Sequence, residues 1–471
     1  MMTRSNSLLH KVSSLSIVIF LSPIFLSALI AEPPSNNVPP NKDDGYRGIW
    51  FTLGQVSEHG DKYSGGLGTY TAKHVPLAVY SPKAQKTFFV YGGARKDSRH
   101  LLAMASYYDH RRGVVPRPTI VHDKQGVNDP HDNPSIALDE HGHVWVFISG
   151  RAQHRPGFKY RSVEPFSVDR FQRISEEEMT YPQPWWIDGK GFLHLFTKYT
   201  GVRELYWNTS ENGEQWTAHR KLAGMGGHYQ TSNRRDGRVI TAFNMHPGGH
   251  PDRRTNLYFV ETDDLGRTWK TAGGTVVDTP MTEPDCAALV RDYRSEKRLC
   301  YMKDIQFDTQ GNPVILVVTS ADHRPGPFGD PRFWTVVHWT GNRWEFHEVT
   351  RAGHNYDMGS LYVEQENLWR IIGPTETGPQ PLGTGGEMAI WISRDRGHSW
   401  QKQLQITRHS ERNHAYARRP VDAHPDFYAF WADGNPDRFS ISRLYFTNRD
   451  GTAVWCLPYR MADDFAKPRK L

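Results

Sequence analysis

The sequence has little cysteine: Cys286, Cys300 and Cys456 are the three in a chain of 471 residues. At most one pair can form, so no disulfide framework holds the fold. Cys-x-x-Cys spacing is absent, which leaves a structural zinc or calcium ion as an accessory at most, with Cys286 and His354 as one pair to inspect. A phosphate loop is also missing. Gly383-Thr-Gly-Gly-Glu387 has no following Lys-Ser/Thr and reads as a turn, and no motif for a redox cofactor appears. Charge of one sign is nowhere clustered. The formal net charge is +6, two units of it on Arg4 and Lys11, and the other cations are interspersed with acids. That pattern argues against nucleic acid and points weakly to an anionic ligand. A long apolar run occurs once, from Leu15 to Ile30, after Arg4 and Lys11 and before Ala31-Glu32-Pro33-Pro34. Residues 1–31 are expected to be a signal peptide, with a retained membrane anchor as the alternative because Leu29 is bulky where a small residue is usual. Either way the folded part is placed outside the cytoplasm, secreted or periplasmic, with no membrane contact for the mature chain. Residues 32–44, rich in proline and without apolar periodicity, read as a disordered linker.

What is abundant is aromatic and turn-forming: 15 Trp, 21 Tyr, 22 Phe, 41 Gly and 31 Pro, the composition of many short strands joined by turns. Residues 45–471 contain no second linker and read as one domain. Turn-plus-tryptophan segments ending at Trp216, Trp269, Trp344, Trp400 and Trp455 recur at roughly 55-residue intervals with one longer gap, the signature of a repeat architecture. Thr262-Asp-Asp264-Leu-Gly266-Arg-Thr-Trp269 and Ser393-Arg-Asp395-Arg-Gly397-His-Ser-Trp400 resemble the Asp-box of sialidase-type propellers, in which the Asp caps backbone amides and the Trp packs between blades. With earlier units around Tyr46–Val121 and Tyr160–Phe171, the expectation is an all-β, seven-bladed propeller of four-stranded antiparallel blades. Its last strands, around Ser442–Phe446 and Trp455, should meet Gly45–Phe51 to close the ring.

A fold names no function, so the strand ends must. His131-Asp-Asn133-Pro-Ser leads into an alternating run, turns at Asp139-Glu-His-Gly142 and returns through Val144, Val146 and Ile148 toward His154: a hairpin that places His131 and His154 at one mouth. Tyr181 precedes Pro182, Lys198 lies in Phe196-Thr-Lys-Tyr199, and Tyr229 opens another strand. The plainer readings are a capping turn at Asp132-Asn133, an exposed loop at His154, an aromatic-Pro strand start at Tyr181 and a solvated charge at Lys198. A second polar set comprises Lys303, His354 with Tyr356, and His414 with Arg418, all before apolar alternating runs and so on the same rim. These are candidate subsite residues, unless Asp304, Asp357 and Arg418 pair with one another as staples.

Tyr46-Arg-Gly-Ile-Trp, Tyr63-Ser-Gly-Gly-Leu-Gly-Thr-Tyr70, the His131-Asp-Asn-Pro-Ser motif, Arg254-Thr-Asn-Leu-Tyr258 and Leu444-Tyr-Phe446 resemble the BNR-4 family of secreted bacterial propellers, which is similar to seven-bladed ulvan lyases acting on rhamnose–glucuronate linkages. The resemblance implies His131, His154, Tyr181 and Tyr229 as catalytic groups. It implies Lys198 at a position that is normally Arg, with Arg234 or Lys303 as substitutes. Asn133, His354, Tyr356, His414 and Arg418 would contact substrate. The implied activity is β-elimination on a uronate-containing, anionic polysaccharide, with no cofactor needed. The alternatives are a glycoside hydrolase on the same scaffold, for which Glu283, Glu376 and Glu387 are the acids to inspect, and a noncatalytic carbohydrate-binding propeller.

Overall fold

Strands that lie between two neighbouring blades are apolar on both faces, whereas outermost strands alternate. Val144–Ile148 (Val-Trp-Val-Phe-Ile) is buried throughout, while Phe171–Glu177 keeps several side chains exposed. This contrast repeats around the ring. The computed structural model describes residues 41–67, 73–95 and 98–471; the expected signal peptide, residues 1–31, and most of the expected linker lie outside them. The described end of that linker is tied down: Asp43 N donates to Pro118 O at 2.8 Å and Lys42 Nζ to Asp169 Oδ1 at 2.6 Å.

Seven antiparallel sheets follow in chain order, each built from consecutive strands. Blade 1 comprises Ala78–Ser81, Lys86–Ala94, Leu101–Asp109 and Thr119–Asp123; blade 2, Pro134–Leu138, Val144–Ile148, Gly157–Ser162 and Phe171–Glu177. Blade 3 comprises Thr180–Ile187, Gly191–Thr200, Val202–Ser210 and Arg220–Ala223. Blade 4 holds Gln230–Arg235, Arg238–Met245, Thr255–Thr262 and Trp269–Lys270, with Val276–Val277 and Leu289–Arg291 added. Blade 5 is Leu299–Phe307, Pro313–Ser320, Phe333–Trp339 and Trp344–Arg351; blade 6, Ser360–Gln365, Leu368–Glu376, Glu387–Ser393 and Gln401–Gln405. Blade 7 is Asn413–Arg418, Ala429–Gly434, Leu444–Thr447 and Val454–Cys456, extended by Arg469–Lys470.

Because each blade is a four-stranded meander, turns between its first and second strands and between its third and fourth share one face of the ring. Second-to-third turns and blade-to-blade crossings share the other. In the third-to-fourth turn of blade 4, Asp264 Oδ1 accepts from Thr268 N at 3.0 Å and Thr262 Oγ1 at 2.8 Å. Gly266 there has φ +79°, and a Cβ on it would lie 2.5 Å from Trp207 Nε1, so only glycine lets this turn sit on the tryptophan of blade 3. The ring closes where expected. Gly48 N donates to Ser442 O of blade 7 at 3.1 Å and Ile49 N to Gly92 O of blade 1 at 2.9 Å, so residues 45–51 form a wedge between first and last blades. Val421 N also donates directly to Ala78 O at 2.9 Å.

Candidate functional site

On the face that carries the blade-to-blade crossings, three strand starts converge. A single 3-10 turn, Pro130–Asp132, leads into blade 2 and presents His131. Tyr181 sits in a bulge of the first strand of blade 3, where the register slips between Thr180 and Gln183, and adopts φ +57°. A bulge with a left-handed residue re-aims a side chain that regular alternation would send elsewhere. Here it lays the Tyr181 ring against His131, with centroids 5.4 Å apart and planes inclined by 27°. Tyr229, entering blade 4, meets Tyr181 edge-on at 5.8 Å. His74 closes the other side of Tyr181 at 5.3 Å and donates from Nε2 to the His131 carbonyl at 3.0 Å.

The cation of this cluster is Arg203. Its guanidinium lies 5.3, 5.0 and 4.9 Å from the rings of Tyr181, Tyr199 and Tyr229. Nη1 donates to Tyr229 Oη at 2.5 Å, and Nη2 lies 3.3 Å from His131 Nε2. On its other side, His131 Nδ1 bonds to Asp129, whose second oxygen accepts from Arg151 at 2.9 Å and Arg155 at 2.6 Å. A carboxylate on Nδ1 and a guanidinium on Nε2 define one tautomer: Nδ1 carries the proton and Nε2 presents a lone pair. Burial pushes the His131 imidazole down to about 4 despite the opposing pull of Asp129, so the ring is neutral at ordinary pH. Burial alone would raise Asp129, but bonds from His131 and Arg155 carry it well below the usual carboxylate range. His246, edge-on to Tyr229 at 4.5 Å, is likewise kept neutral by burial and by Arg254 and Arg203.

Of the residues singled out by sequence, His131, Tyr181 and Tyr229 come together. Tyr356 reaches them through Arg254, which donates to Tyr356 Oη at 3.0 Å with its guanidinium 4.8 Å from the Tyr229 ring. His154 stands exposed at the tip of the turn whose flanks, Arg151 and Arg155, bind Asp129. Lys198 points away, 3.7 Å from Glu178, because it is paired in register with Glu204 while its neighbour Tyr199 pairs with Arg203. Arg234 pairs with Val239 near the far turn of its hairpin, at the opposite end of the strand from Tyr229. Asn133 donates to Pro130 O at 3.1 Å and packs on Gly92, where a Cβ would have no room.

The second polar set is mostly spent on the backbone. Lys303 Nζ donates to Asn355 O at 2.6 Å and Arg418 Nη1 to Lys303 O at 3.1 Å. His354 Nδ1 accepts from Tyr356 N at 3.2 Å, and burial drives its imidazole down to about 3. His414 has both nitrogens engaged, by Trp431 Nε1 at 2.9 Å and Ser410 Oγ at 2.8 Å. Among the acids, Glu283 is exposed, Glu376 pairs with Lys402 at 2.8 Å, and Glu387 is buried against Thr407 and Ser410. Asp357, nearer the axis, is raised to about 7 by burial, with its oxygens already accepting from Gly385 N and His354 N at 2.8 Å. Cys286 packs against the hydrophobic cluster that contains Tyr258, and His354 is not part of that cluster. A cleft of about 970 Å3 beside Trp186, Lys190 and Trp216 opens on the opposite face and touches none of these groups. Convergent chemistry, not the size of a hollow, marks the site.

Sequence reasoning missed Arg203, Tyr199, His74 and His246. For Arg203 a signal existed: Gly201, at φ +88°, is the pivot of the hairpin, so residues two positions to either side, Tyr199 and Arg203, must face each other.

Known proteins bear on this arrangement. The ulvan lyase of Alteromonas sp. (strain LOR) is 19% identical over 365 residues, covering 69% of this chain and 73% of that protein. The ulvan lyase of Pseudoalteromonas sp. (strain PLSV) is 19% identical over 371 residues, with the same coverages. A PL25 ulvan lyase structure bound to -[GlcA(1-4)Rha3S]- superposes with a TM-score of 0.70 at 15% identity, over 87% of this chain and 96% of that one, which establishes the shared fold. The family model described as BNR repeat-containing family member matches residues 103–352, more than half of the chain. The chain belongs to the BNR repeat-containing family.

Proposed function

We propose that this protein is a polysaccharide lyase that cleaves a uronate-containing glycan, of the rhamnose–glucuronate kind, by β-elimination. The observation that carries the reading is the convergence of a neutral, Nε2-presenting His131 with two phenols and one partly buried guanidinium. Elimination next to a carboxylate needs that carboxylate's charge neutralised so that the C5 proton becomes removable, a base to take the proton, and an acid for the departing O4. Arg203 suits the first of these roles, because its planar fork grips a carboxylate through two hydrogen bonds. A carboxylate that draws the guanidinium outward releases both His131 Nε2 and Tyr229 Oη, which Arg203 otherwise occupies. His131 Nε2 then takes the C5 proton, with Asp129 stabilising the imidazolium that forms. Tyr229 donates its phenolic proton to O4, and Tyr181 holds the imidazole and the second phenol in register. The product carries a C4–C5 double bond.

His154, on the exposed turn, is a rim contact for a sugar beside the cut, and buried Tyr356 holds Arg254 behind Tyr229. The ulvan substrates of the two relatives and the disaccharide repeat in the PL25 structure support an anionic polysaccharide as substrate. Residues 1–31 act as the signal that brings the enzyme to such a substrate outside the cytoplasm.

The test is ultraviolet absorbance of the unsaturated uronate while the protein is incubated with ulvan and other uronate glycans. A rise abolished in His131→Ala and Tyr229→Phe supports elimination with these roles. New reducing ends without the absorbance would replace it with hydrolysis.

A further inference from the structure

We propose that Glu345, His347 and His398 form a zinc site that clasps blade 5 to blade 6, on the face opposite the His131–Arg203 cluster. Glu345 and His347 are two positions apart on Trp344–Arg351, so they project from the same side of the outermost strand of blade 5. His398 comes from the turn between the third and fourth strands of blade 6. Gly397 anchors that turn: its φ is +86°, and a Cβ there would lie 2.7 Å from Trp369 and 3.5 Å from Val336 of blade 5. The three side chains therefore meet across a blade boundary, each held by a rigid element.

Their atoms are arranged around a common point. One carboxylate oxygen of Glu345, Oε1, accepts from Arg343 at 2.7 Å. The other, Oε2, faces His398 Nε2 at 3.3 Å and His347 Nε2 at 3.6 Å. Zinc bonds of about 2.0–2.1 Å in a tetrahedron place ligand atoms about 3.3 Å apart, so these two edges match a zinc coordination shell closely. The rings of His347 and His398 have centroids 4.6 Å apart, and the three ligand atoms all lie within 4.8 Å of one another. His398 Nδ1 donates to Asp395 O at 2.5 Å, which fixes the tautomer with its lone pair on Nε2. Lone pairs on a carboxylate oxygen and an imidazole nitrogen repel at this range unless a cation lies between them. Arg343 on Glu345 and the Asp395 carbonyl on His398 are the outer partners that ligating groups commonly have.

Two imidazoles and a carboxylate are a donor set suited to zinc. With His398 half exposed, the fourth position goes to water.

The test is metal titration of the full chain after chelator treatment, with Zn2+ and then Co2+. The expected result is one tightly bound equivalent, visible d–d absorption of tetrahedral Co2+, and a rise in Tm with zinc. His398→Ala and Glu345→Gln should each weaken that binding at least about tenfold, whereas His398→Cys should retain it and add a sulfur-to-cobalt charge-transfer band. A second cluster, His110, His424 and Asp426, lies between blades 1 and 7, so His424→Ala serves as the control that keeps the blade 5–6 equivalent. Zinc binding by His398→Ala with wild-type affinity and stoichiometry, or no binding above background by the wild type, would overturn the proposal.

Discussion

In the arc of blades 2–4, His131 Nε2 and Tyr229 Oη both meet the guanidinium of Arg203. In the arc of blades 5–7, His414 spends both nitrogens on Trp431 and Ser410, Lys303 spends its ammonium on a backbone carbonyl, and Arg418 bonds the backbone of Lys303. Both arcs offer histidine, tyrosine and cations to one rim. What separates them is the partner: a partly exposed side chain in one case, a backbone group or a buried indole in the other. A polar residue whose hydrogen bonds end on the main chain or on a packed side chain, as those of His414 end on Trp431 and Ser410, is part of the scaffold. One whose bonds end on a partly exposed side chain such as Arg203 has a partner that substrate can replace.

Exchanging the matched histidines tests this contrast with the largest expected effect. His131→Ala should lower kcat/KM by about 10²–10⁴, the range for loss of a general base. His414→Ala should leave kcat/KM unchanged and cost about 1–3 kcal/mol in denaturant unfolding, since it strands the Trp431 donor and Ser410. Equal losses of activity in both variants would erase the distinction between the arcs. Next in size, Arg203→Ala should cost about 10²–10³ in kcat/KM. Arg203→Lys should recover part of that, since a point charge replaces the fork.

The pH dependence separates the arcs less sharply, because burial acts on both. His131 is pushed down to about 4, and His74 and His354 to about 3. In the unfolded chain such groups titrate near 6.5, so below that pH the unfolded state binds protons that the folded state refuses. Stability should therefore be full above about pH 6.5 and fall as pH drops toward about 4, as unfolding midpoints across that window will register. The acid limb of kcat/KM should lie near 4, where His131 loses its lone pair, not near 6.5. A limb near 6.5 would mean that the base is a solvent-exposed histidine and not His131. The smallest effects are expected at the periphery: His154→Ala should raise KM a little and spare kcat, and Lys198→Ala should alter neither measurably.

Much of this molecule is legible from local pattern. The recurring turn-plus-tryptophan segments mark the repeat because a glycine turn needs a tryptophan to sit on, as Gly266 does on Trp207. His131, Tyr181 and Tyr229 are legible because they stand at strand starts, where a side chain faces the rim. Arg203 is hidden because its relevance depends on a cross-strand partner, Tyr199, and the eye stops at the nearer Lys198. The closure of His414 cannot be read from its surroundings either: Trp431 and Ser410, which engage it, are brought to it by the pairing of blade 7 strands and by a loop. Which polar groups are already satisfied is a tertiary property, and it decides between scaffold and site.

The wedge at residues 45–51 sets the timing of folding. Trp50 Nε1 donates to Asn435 O, 385 positions further along the chain, so the ring cannot shut until almost all of the polypeptide is available. Each earlier blade can form from neighbouring residues as it emerges, but the seam must bring together the two ends of the domain, and such distant pairings are slow to find. Until then the first and last blades expose unpaired, apolar flanks that invite association with other chains. Folding yield, more than final stability, is where changes at Tyr46, Ile49 or Trp50 should register first.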